Sequence, residues 1–282
     1  MTQPLAVQPP DDGDDAGNAV TVAYINDNLV TYPWHHSMIE LIGYDLANYG
    51  RILRGGYVAV RHGTDGLVEA RNMAVREFLT DRTGDWMWWI DTDMGFAADT
   101  VDRLLAAADA VERPVVGALA FSQREMSPDG LGGWRCTATP TIFDWAQVNV
   151  HDDKVVDGEL QRVKVGEQQG FAVRWDYPAN TVVRCAGTGS ACILIHRSVL
   201  EKVGDKYGTW YERVPNISTG QLISEDLSFC VRLGTLDIPL FVHTGVQTTH
   251  QKLLWLQEED YWRQRAVDPP PATLEDAQRG VA

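Results

Sequence analysis

The sequence predicts an α/β fold: a mostly parallel central sheet with helices on both faces, carrying a β-rich insertion. Residues 19–120 alternate short apolar runs with segments of helical period. That order builds a sheet covered on both sides. Trp86-Met-Trp-Trp-Ile90 is an unbroken apolar run between Gly84 and Gly95, the pattern of a strand buried on both faces. From Phe121 to Asn180 the helical period fades, and Gly, Pro, Trp and charged residues mix.

The elements follow in order. Residues 1–18 hold Pro, Gly, Asn and Asp without periodicity and read as a disordered acidic arm with Asp11, Asp12, Asp14 and Asp15. Ala19–Asn26 is the first buried strand. Pro33–Tyr49 is a helix with Met38, Leu41, Ile42, Asp45 and Leu46 at helical spacing. Tyr57–Arg61 is a short strand, and Leu67–Asp81 a helix whose apolar arc contains Arg71. A guanidinium there either snorkels, pairs with a structural Asp, or faces a phosphate or Asp91, because a buried charge without an anion is costly.

The Trp-rich strand runs into Asp91-Thr-Asp93. In an extended chain residues i and i+2 point the same way, so Asp91 and Asp93 would share a face at the strand end. A divalent metal with oxygen ligands is the natural partner of two such carboxylates. The bland alternative is a strand end and a turn cap. A helix from about Ala98 to Val111 and a strand, Pro114–Ala120, complete the first half.

Residues 121–180 form an insertion, with hairpins expected around Thr141–Val150 and Arg162–Val165. Arg184–His196 reads as a strand whose glycines let another backbone or a ligand approach. A helix spans Ser198–Val203 and stops at Gly204. Ser224 caps a helix that ends at Gly234, with Glu225 and Asp226 in its first turn. Pro239–His243 is a last strand, and Val246–Lys252 leads into a helix. The domain is expected to span 19–265, followed by a tail over 266–282.

Composition excludes several classes. With 44% hydrophobic residues in 282, the chain can bury a core, and it holds no run long enough to span a membrane. Without a signal peptide the expectation is a cytoplasmic protein. Cys136, Cys185, Cys192 and Cys230 lack metal spacing and read as reduced core residues. The net charge of −15 opposes nonspecific nucleic-acid binding. Arg124, Arg135, Arg162 and Lys164 could still form a local patch, and Trp134, Trp145 and Trp175 could stack on a sugar or base, although core packing is the commoner fate of tryptophan.

Ile90-Asp-Thr-Asp93, Ser224-Glu-Asp-Leu227 and His250 occur in that order, with Glu69-Ala-Arg-Asn72 before the first and Gly187–Gly204 before the second. The set resembles glycosyltransferases of the GT-A fold, especially the large family 2-like group, over about Val20 to Lys252. Phe121-Ser-Gln-Arg-Glu125 and the acidic build are similar to phage-encoded members, whose setting would be the host cytoplasm.

The resemblance implies a nucleotide-sugar-binding half at 19–120 and an acceptor-binding half at 121–265. It implies a nucleotide-sugar donor, UDP-linked first of all, with Mn²⁺ or Mg²⁺. Asp93, Asp91 and His250 would serve the metal, and Asp91 could instead contact the ribose. Asn26, Asp27, Arg71, Asn72, Gly187 and Gly189 would line the donor. Asp226, beside Glu225, would be the general base of an inverting transfer to a hydroxyl of a protein, glycan or modified DNA base. No Gln-x-x-Arg-Trp signature of processive synthases is present. The alternatives are a sugar-phosphate nucleotidyltransferase on the same scaffold and a non-catalytic nucleotide-sugar-binding protein.

Overall fold

A computed structural model describes residues 19–26, 29–63, 66–128, 134–215 and 222–252. The elements are β1 (Val20–Asn26), α1 (Tyr32–Asn48), α2 (Arg51–Gly55), β2 (Tyr57–Arg61), α3 (Gly66–Asp81), β3 (Trp86–Ile90), β4 (Met94–Gly95), α4 (Thr100–Ala107), β5 (Val115–Leu119), β6 (Phe121–Pro128) and β7 (Trp134–Pro140). They continue with β8 (Phe143–Val156), β9 (Glu159–Val173), β10 (Val182–Cys185), β11 (Cys192–His196), α5 (Arg197–Tyr207), β12 (Val214–Pro215), β13 (Leu222–Ile223), α6 (Glu225–Thr235), β14 (Leu240–Gln247) and β15 (Thr249–His250). Residues 123–138 and 252–282 form a unit of their own; its described residues are Lys252 and those in the β6–β7 ribbon.

The main unit holds a seven-stranded sheet in the order β10-β14-β5-β11-β3-β1-β2. β1 runs parallel to β2 and β3, and β14 parallel to β5, while β11 and β10 run antiparallel to their neighbours. The fold is therefore mixed α/β, as expected. The tryptophan strand sits inside this sheet and feeds both faces. Met87 and Trp89 join the core under α3, α5 and α6; Trp86, Trp88 and Ile90 join the core under α1 and α4. Alternate side chains of a strand point to opposite sides, so a strand apolar throughout needs a layer on each.

Local chemistry sets the helix ends. Thr31 accepts from the Trp34 amide at the start of α1, with Pro33 in the first turn. The buried Asp45 carboxylate accepts from the Arg51, Ile52 and Leu53 amides at 2.9, 3.0 and 3.3 Å, capping α2 from the neighbouring helix. Ser224 accepts from the Leu227 amide and caps α6, as the sequence predicts.

Several boundaries differ from expectation. α4 stops at Ala107, because Asp109 accepts from the Val111 and Glu112 amides and turns the chain early. Arg184–His196 is two strands, β10 and β11, which pair with different neighbours; the glycines lie in the crossing between them. α5 runs to Tyr207 and stops at Gly208 in the left-handed region, while Gly204 packs inside it against Trp210. α6 passes Gly234 and ends at Thr235. On α1 the buried face is Trp34, Ser37, Leu41 and Asp45, and Ile42 and Leu46 remain exposed. The helix expected after Lys252 lies outside the described residues.

The insertion is β-rich, with one long hairpin. β8 and β9 pair from Phe143↔Val173 to Val156↔Glu159 around Asp157-Gly158, both with positive φ. An Asp-Gly pair suits that two-residue turn. At the hairpin's base the Phe143 amide donates to Gly187, and Arg174 pairs with Asp144. Cys192 and Cys230 are buried free thiols and Cys185 is partly buried. Among the described residues no helix is long and apolar enough to cross a membrane.

Two glycines separate packing from propensity. A Cβ on Gly55 would lie 2.1 Å from the Val20 carbonyl oxygen, a backbone atom, whereas one on the exposed Gly43 of α1 would meet nothing within 4 Å. Gly55→Ala is expected to lower unfolding free energy by about 1–3 kcal/mol. Gly43→Ala is expected to raise it by about 0.5–1 kcal/mol. Urea denaturation of both variants checks the pair.

Candidate functional site

The site gathers where β1 and β3 end. Asp91 follows β3 and donates its amide to Ala191 at 2.9 Å. The chain then turns instead of staying extended: the Met94 amide donates to the Asp91 carbonyl at 3.2 Å. Asp91 and Asp93 consequently face different partners, which corrects the shared-face expectation. The turn is tied down by Thr92, whose carbonyl accepts from the Thr31 amide and hydroxyl at 3.0 and 3.1 Å.

Beyond the turn, β4 pairs antiparallel with β15, Thr249 opposite Gly95 and His250 opposite Met94. The Gln251 amide adds a bond of 2.9 Å to the Asp93 carbonyl. Gly95 is required at this contact, since a Cβ there would lie 2.5 Å from the Thr249 hydroxyl and 3.1 Å from Pro33. The ladder brings His250 Nε2 to 2.9 Å from Asp93 Oδ2 and Nδ1 to 2.8 Å from the Phe121 carbonyl. A carbonyl only accepts, so Nδ1 carries the proton. In a neutral ring Nε2 then turns a lone pair toward the carboxylate. Such a pair calls for a cation: the imidazolium proton or a metal ion.

The second part of the site is built around Arg71 on α3, 2% exposed. Its Nη2 lies 3.3 Å from Asp91 Oδ1 and 3.6 Å from Asp226 Oδ1, and its Nε lies 3.7 Å from Glu225 Oε1. Trp89 and Tyr211 lie against the guanidinium, ring centres 4.8 and 5.6 Å from Cζ. The Trp89 indole N–H donates to Asp91 Oδ1 at 3.1 Å. One cation thus serves three carboxylates. Burial opposes the charge of Arg71, but Asp91, Asp226, Tyr211 and Glu225 outweigh it and hold its pKa above the ordinary arginine value. Burial pushes the Asp91 carboxyl up, against the pull of Arg71. Burial and then the charge of Asp226 push Glu225 up as well.

The other expected residues divide. Asn72 is buried and its amide is spent on backbone: Oδ1 accepts from Trp210 and Tyr211 at 3.0 Å each, and Nδ2 donates to Tyr211 at 2.9 Å. It positions Tyr211 over Arg71 and does not face open space, contrary to the donor-lining expectation. A Cβ on Gly189 would lie 3.9 Å from Asp226 Oδ2, and one on Gly187 would strike Phe171 at 2.8 Å. Gly189 thus borders the acidic pair, while Gly187 is a packing glycine. Asn26, at the end of β1, has a buried Oδ1 without a hydrogen bond among the described residues. Asp27 lies outside them. No group of three or more His, Cys, Asp or Glu among the described residues is arranged around one metal position.

Trp89 and Tyr211 were missed by sequence reasoning. Trp89 stands two residues before Asp91, on the spacing that shares a face, so a signal existed. Tyr211 carries none, since only the long-range clamp by Asn72 puts it there. Trp145 and Trp175 are exposed rather than core residues. Lys164 pairs with Glu167, whereas the side chains of Arg124, Trp134, Arg135 and Arg162 lie outside those described.

No protein-family model and no curated protein matches the sequence. Among solved structures, A197 from STIV is similar over 83% of this chain and 86% of its own, at 14% identity and a TM-score of 0.42. GalNAc-T7, solved with UDP, GalNAc and Mn²⁺, is similar over 86% of this chain at 15% identity and a TM-score of 0.47, and the match spans 45% of that protein. S. aureus TarS 1–349 in complex with UDP-GlcNAc matches 92% of this chain and 69% of its own, at 15% identity and a TM-score of 0.40. At such distances only the side-chain geometry speaks to chemistry.

The charge excess around Arg71 generates a prediction. A carboxyl whose pKa is raised by folding binds its proton more tightly in the folded chain. Its contribution is therefore fullest below the ordinary carboxylate pKa of about 4 and declines as pH rises through the folded value. Glu225→Gln should flatten the decline in urea midpoint between pH 4 and 7 relative to the parent. Arg71→Met removes the shared cation of Asp91, Asp226 and Glu225, leaving Glu225 only Arg213 at 4.0 Å, and should cost about 3–5 kcal/mol at pH 7. Equal pH slopes for Glu225→Gln and the parent would remove the raised-pKa account.

Proposed function

We propose that the chain is a metal-dependent glycosyltransferase that moves a sugar from a nucleotide sugar to a hydroxyl acceptor with inversion. The carrying observation is the approach of His250 Nε2 to Asp93 Oδ2 at 2.9 Å, with Nδ1 already committed to a carbonyl. A carboxylate oxygen and an imidazole nitrogen with its tautomer set by an outer hydrogen bond suit Mn²⁺ or Mg²⁺. Mg²⁺ commonly takes only one or two protein carboxylates and completes its shell with phosphate oxygens. Asp93 and His250 would hold the ion, and Asp91, kept in place by Arg71 and Trp89, would face the ribose or the ion. A bound ion offsets charge on the departing diphosphate.

The residues of this chain do the rest. Of the acidic pair, Asp226 is the more accessible, 24% exposed against 7% for Glu225, and it borders Gly189. Asp226 takes the proton of the acceptor hydroxyl as its oxygen bonds to the anomeric carbon. The bond from that carbon to the diphosphate breaks, and the electron pair leaves with the diphosphate. Glu225, buried against Arg71 and near Arg213, is a positioning residue. Asn26, whose buried oxygen has no hydrogen bond among the described residues, would meet the base of a UDP-sugar.

The test is a donor panel with Mn²⁺ present, UDP-sugars first, reading nucleoside diphosphate release. Asp93→Asn and His250→Ala should each lower release by about 100-fold or more, judged from the loss of a metal ligand. Asp226→Asn should lower transfer by about 10²–10⁴-fold while donor binding by calorimetry stays within a few fold. Undiminished turnover in Asp93→Asn, with chelation also harmless, refutes the proposal. Donor binding without release or transfer over a broad acceptor panel points to a non-catalytic binding protein. Pyrophosphate release from a nucleoside triphosphate points to a nucleotidyltransferase.

A further inference from the structure

Tryptophan is highly buried on average, yet Trp145 in the insertion is 52% exposed. β8 and β9 form a two-stranded sheet of their own. Alternation along them gathers Trp145, Gln147 and Asn149 with Phe171, Gln169 and Glu167 on one face. All of these but Phe171 are exposed, whereas Ala146, Val148, Gln168 and Gly170 on the opposite face are half-buried. Trp145 and Phe171 meet edge to face, ring centres 4.9 Å apart and planes at 87°, and make an aromatic corner.

The corner borders a cavity of about 630 Å³ against α6 and β14, a volume within the range of small-ligand sites. Its polar rim is planar and hydrogen-bonding. Asp144 is held by Arg174 Nε at 2.8 Å, and Arg184 is exposed, its guanidinium without an ion pair among the described residues. Further along the ribbon, Gln169 Nε2 donates to Gln147 Oε1 at 3.0 Å. The Gln169 oxygen and the Asn149 amide make no hydrogen bond among the described residues. From Trp145 to Asn149 the row spans roughly 14 Å at about 3.4 Å per residue. An aromatic face flanked by planar donors and acceptors matches a pyranose, whose C–H groups lie on the ring while its hydroxyls meet the rim. An acyl chain would leave those polar groups unpaired. A nucleic acid would meet a chain of net charge −15.

The corner also adjoins the acidic pair. A Cβ on Gly187 would meet Phe171 at 2.8 Å and Leu227 at 3.1 Å, so the corner and the residue after Asp226 pack against one glycine. Cys230, one helical turn beyond Asp226, lines the cavity. We propose that the Trp145 face binds a neutral oligosaccharide, and that this saccharide is the acceptor whose hydroxyl reaches Asp226. The binding stands on the ribbon and cavity alone; only the acceptor role rests on the transfer reaction proposed above.

The test is binding of the full chain to an array of neutral oligosaccharides, with and without UDP and Mn²⁺, followed by calorimetry on the strongest binder. Trp145→Ala should weaken that binding by about tenfold or more, and Trp145→Tyr, which keeps a ring, should stay within about threefold of the parent. Gln169→Ala alters an exposed position on the same face and should weaken binding without disturbing the corner. Circular dichroism should be unchanged in all three. A parent that binds no neutral oligosaccharide overturns the proposal, as does binding that survives both Trp145→Ala and Gln169→Ala. An unglycosylated peptide or a single-stranded oligonucleotide that binds in place of a saccharide, and is lost with Trp145→Ala, overturns it too. Donor release with Mn²⁺ is measured separately, so failure of saccharide binding and failure of the transfer reaction are told apart.

Discussion

A single guanidinium holds together the carboxylates that gather where β3 ends and α6 begins. Arg71 comes from the inner face of α3, is sealed by Trp89 and Tyr211, and meets carboxylates from two other elements: Asp91 after β3, and Glu225 and Asp226 at the start of α6. Three like charges so close would not stay assembled in a low-dielectric interior without it. Their geometry is therefore borrowed from Arg71, and that of Arg71 depends on its neighbour Asn72, which fixes the Tyr211 backbone. A charge excess of this kind does not maximise stability. It concentrates negative potential at the mouth of a sheet, where a cation or a proton would relieve it.

The two halves of the site are built by different means. The Arg71 cluster is a packing solution: helix faces converge on a buried charge. The Asp93–His250 pair is a backbone solution, in which a two-residue ladder and one glycine set the approach. The first tolerates little change of charge, the second little change of shape. Asp91 stands next to both, ion-paired in the first and two residues from Asp93.

Much of this was legible before any coordinates. The alternation of strands and helices in the first half, the capped α6 and the guanidinium inside an apolar arc all depend on local periodicity or on a side chain acting on its own helix. Such signals survive in a bare sequence. What escaped has a common cause. The apolar run of β3 suggested that the chain continues extended through Asp93, but hydrogen bonds from Thr31, 61 residues away, hold a turn there. Asn72 lies on the expected helix, yet its partners are near residue 210. The Asp157-Gly158 pair is a readable hairpin signal, and it joins Thr141–Val150 and Arg162–Val165 into one hairpin with a register shift near Val150. α1 shows the limit of periodicity: Ile42 and Leu46 follow the right period, but nothing local says which of two apolar faces the sheet takes.

The His250–Asp93 contact beside the β4–β15 ladder joins residues 157 positions apart. Closing so long a loop costs on the order of 4 kcal/mol of chain entropy, which no two-residue ladder repays by itself. That ladder can close only once the intervening sheet has formed. During synthesis, the acidic turn emerges from the ribosome well before its histidine does. The imidazole arrives last of the pair, so a truncated or half-folded chain displays the carboxylates without their nitrogen partner, and the closed Asp93–His250 contact is a late reporter that folding has finished.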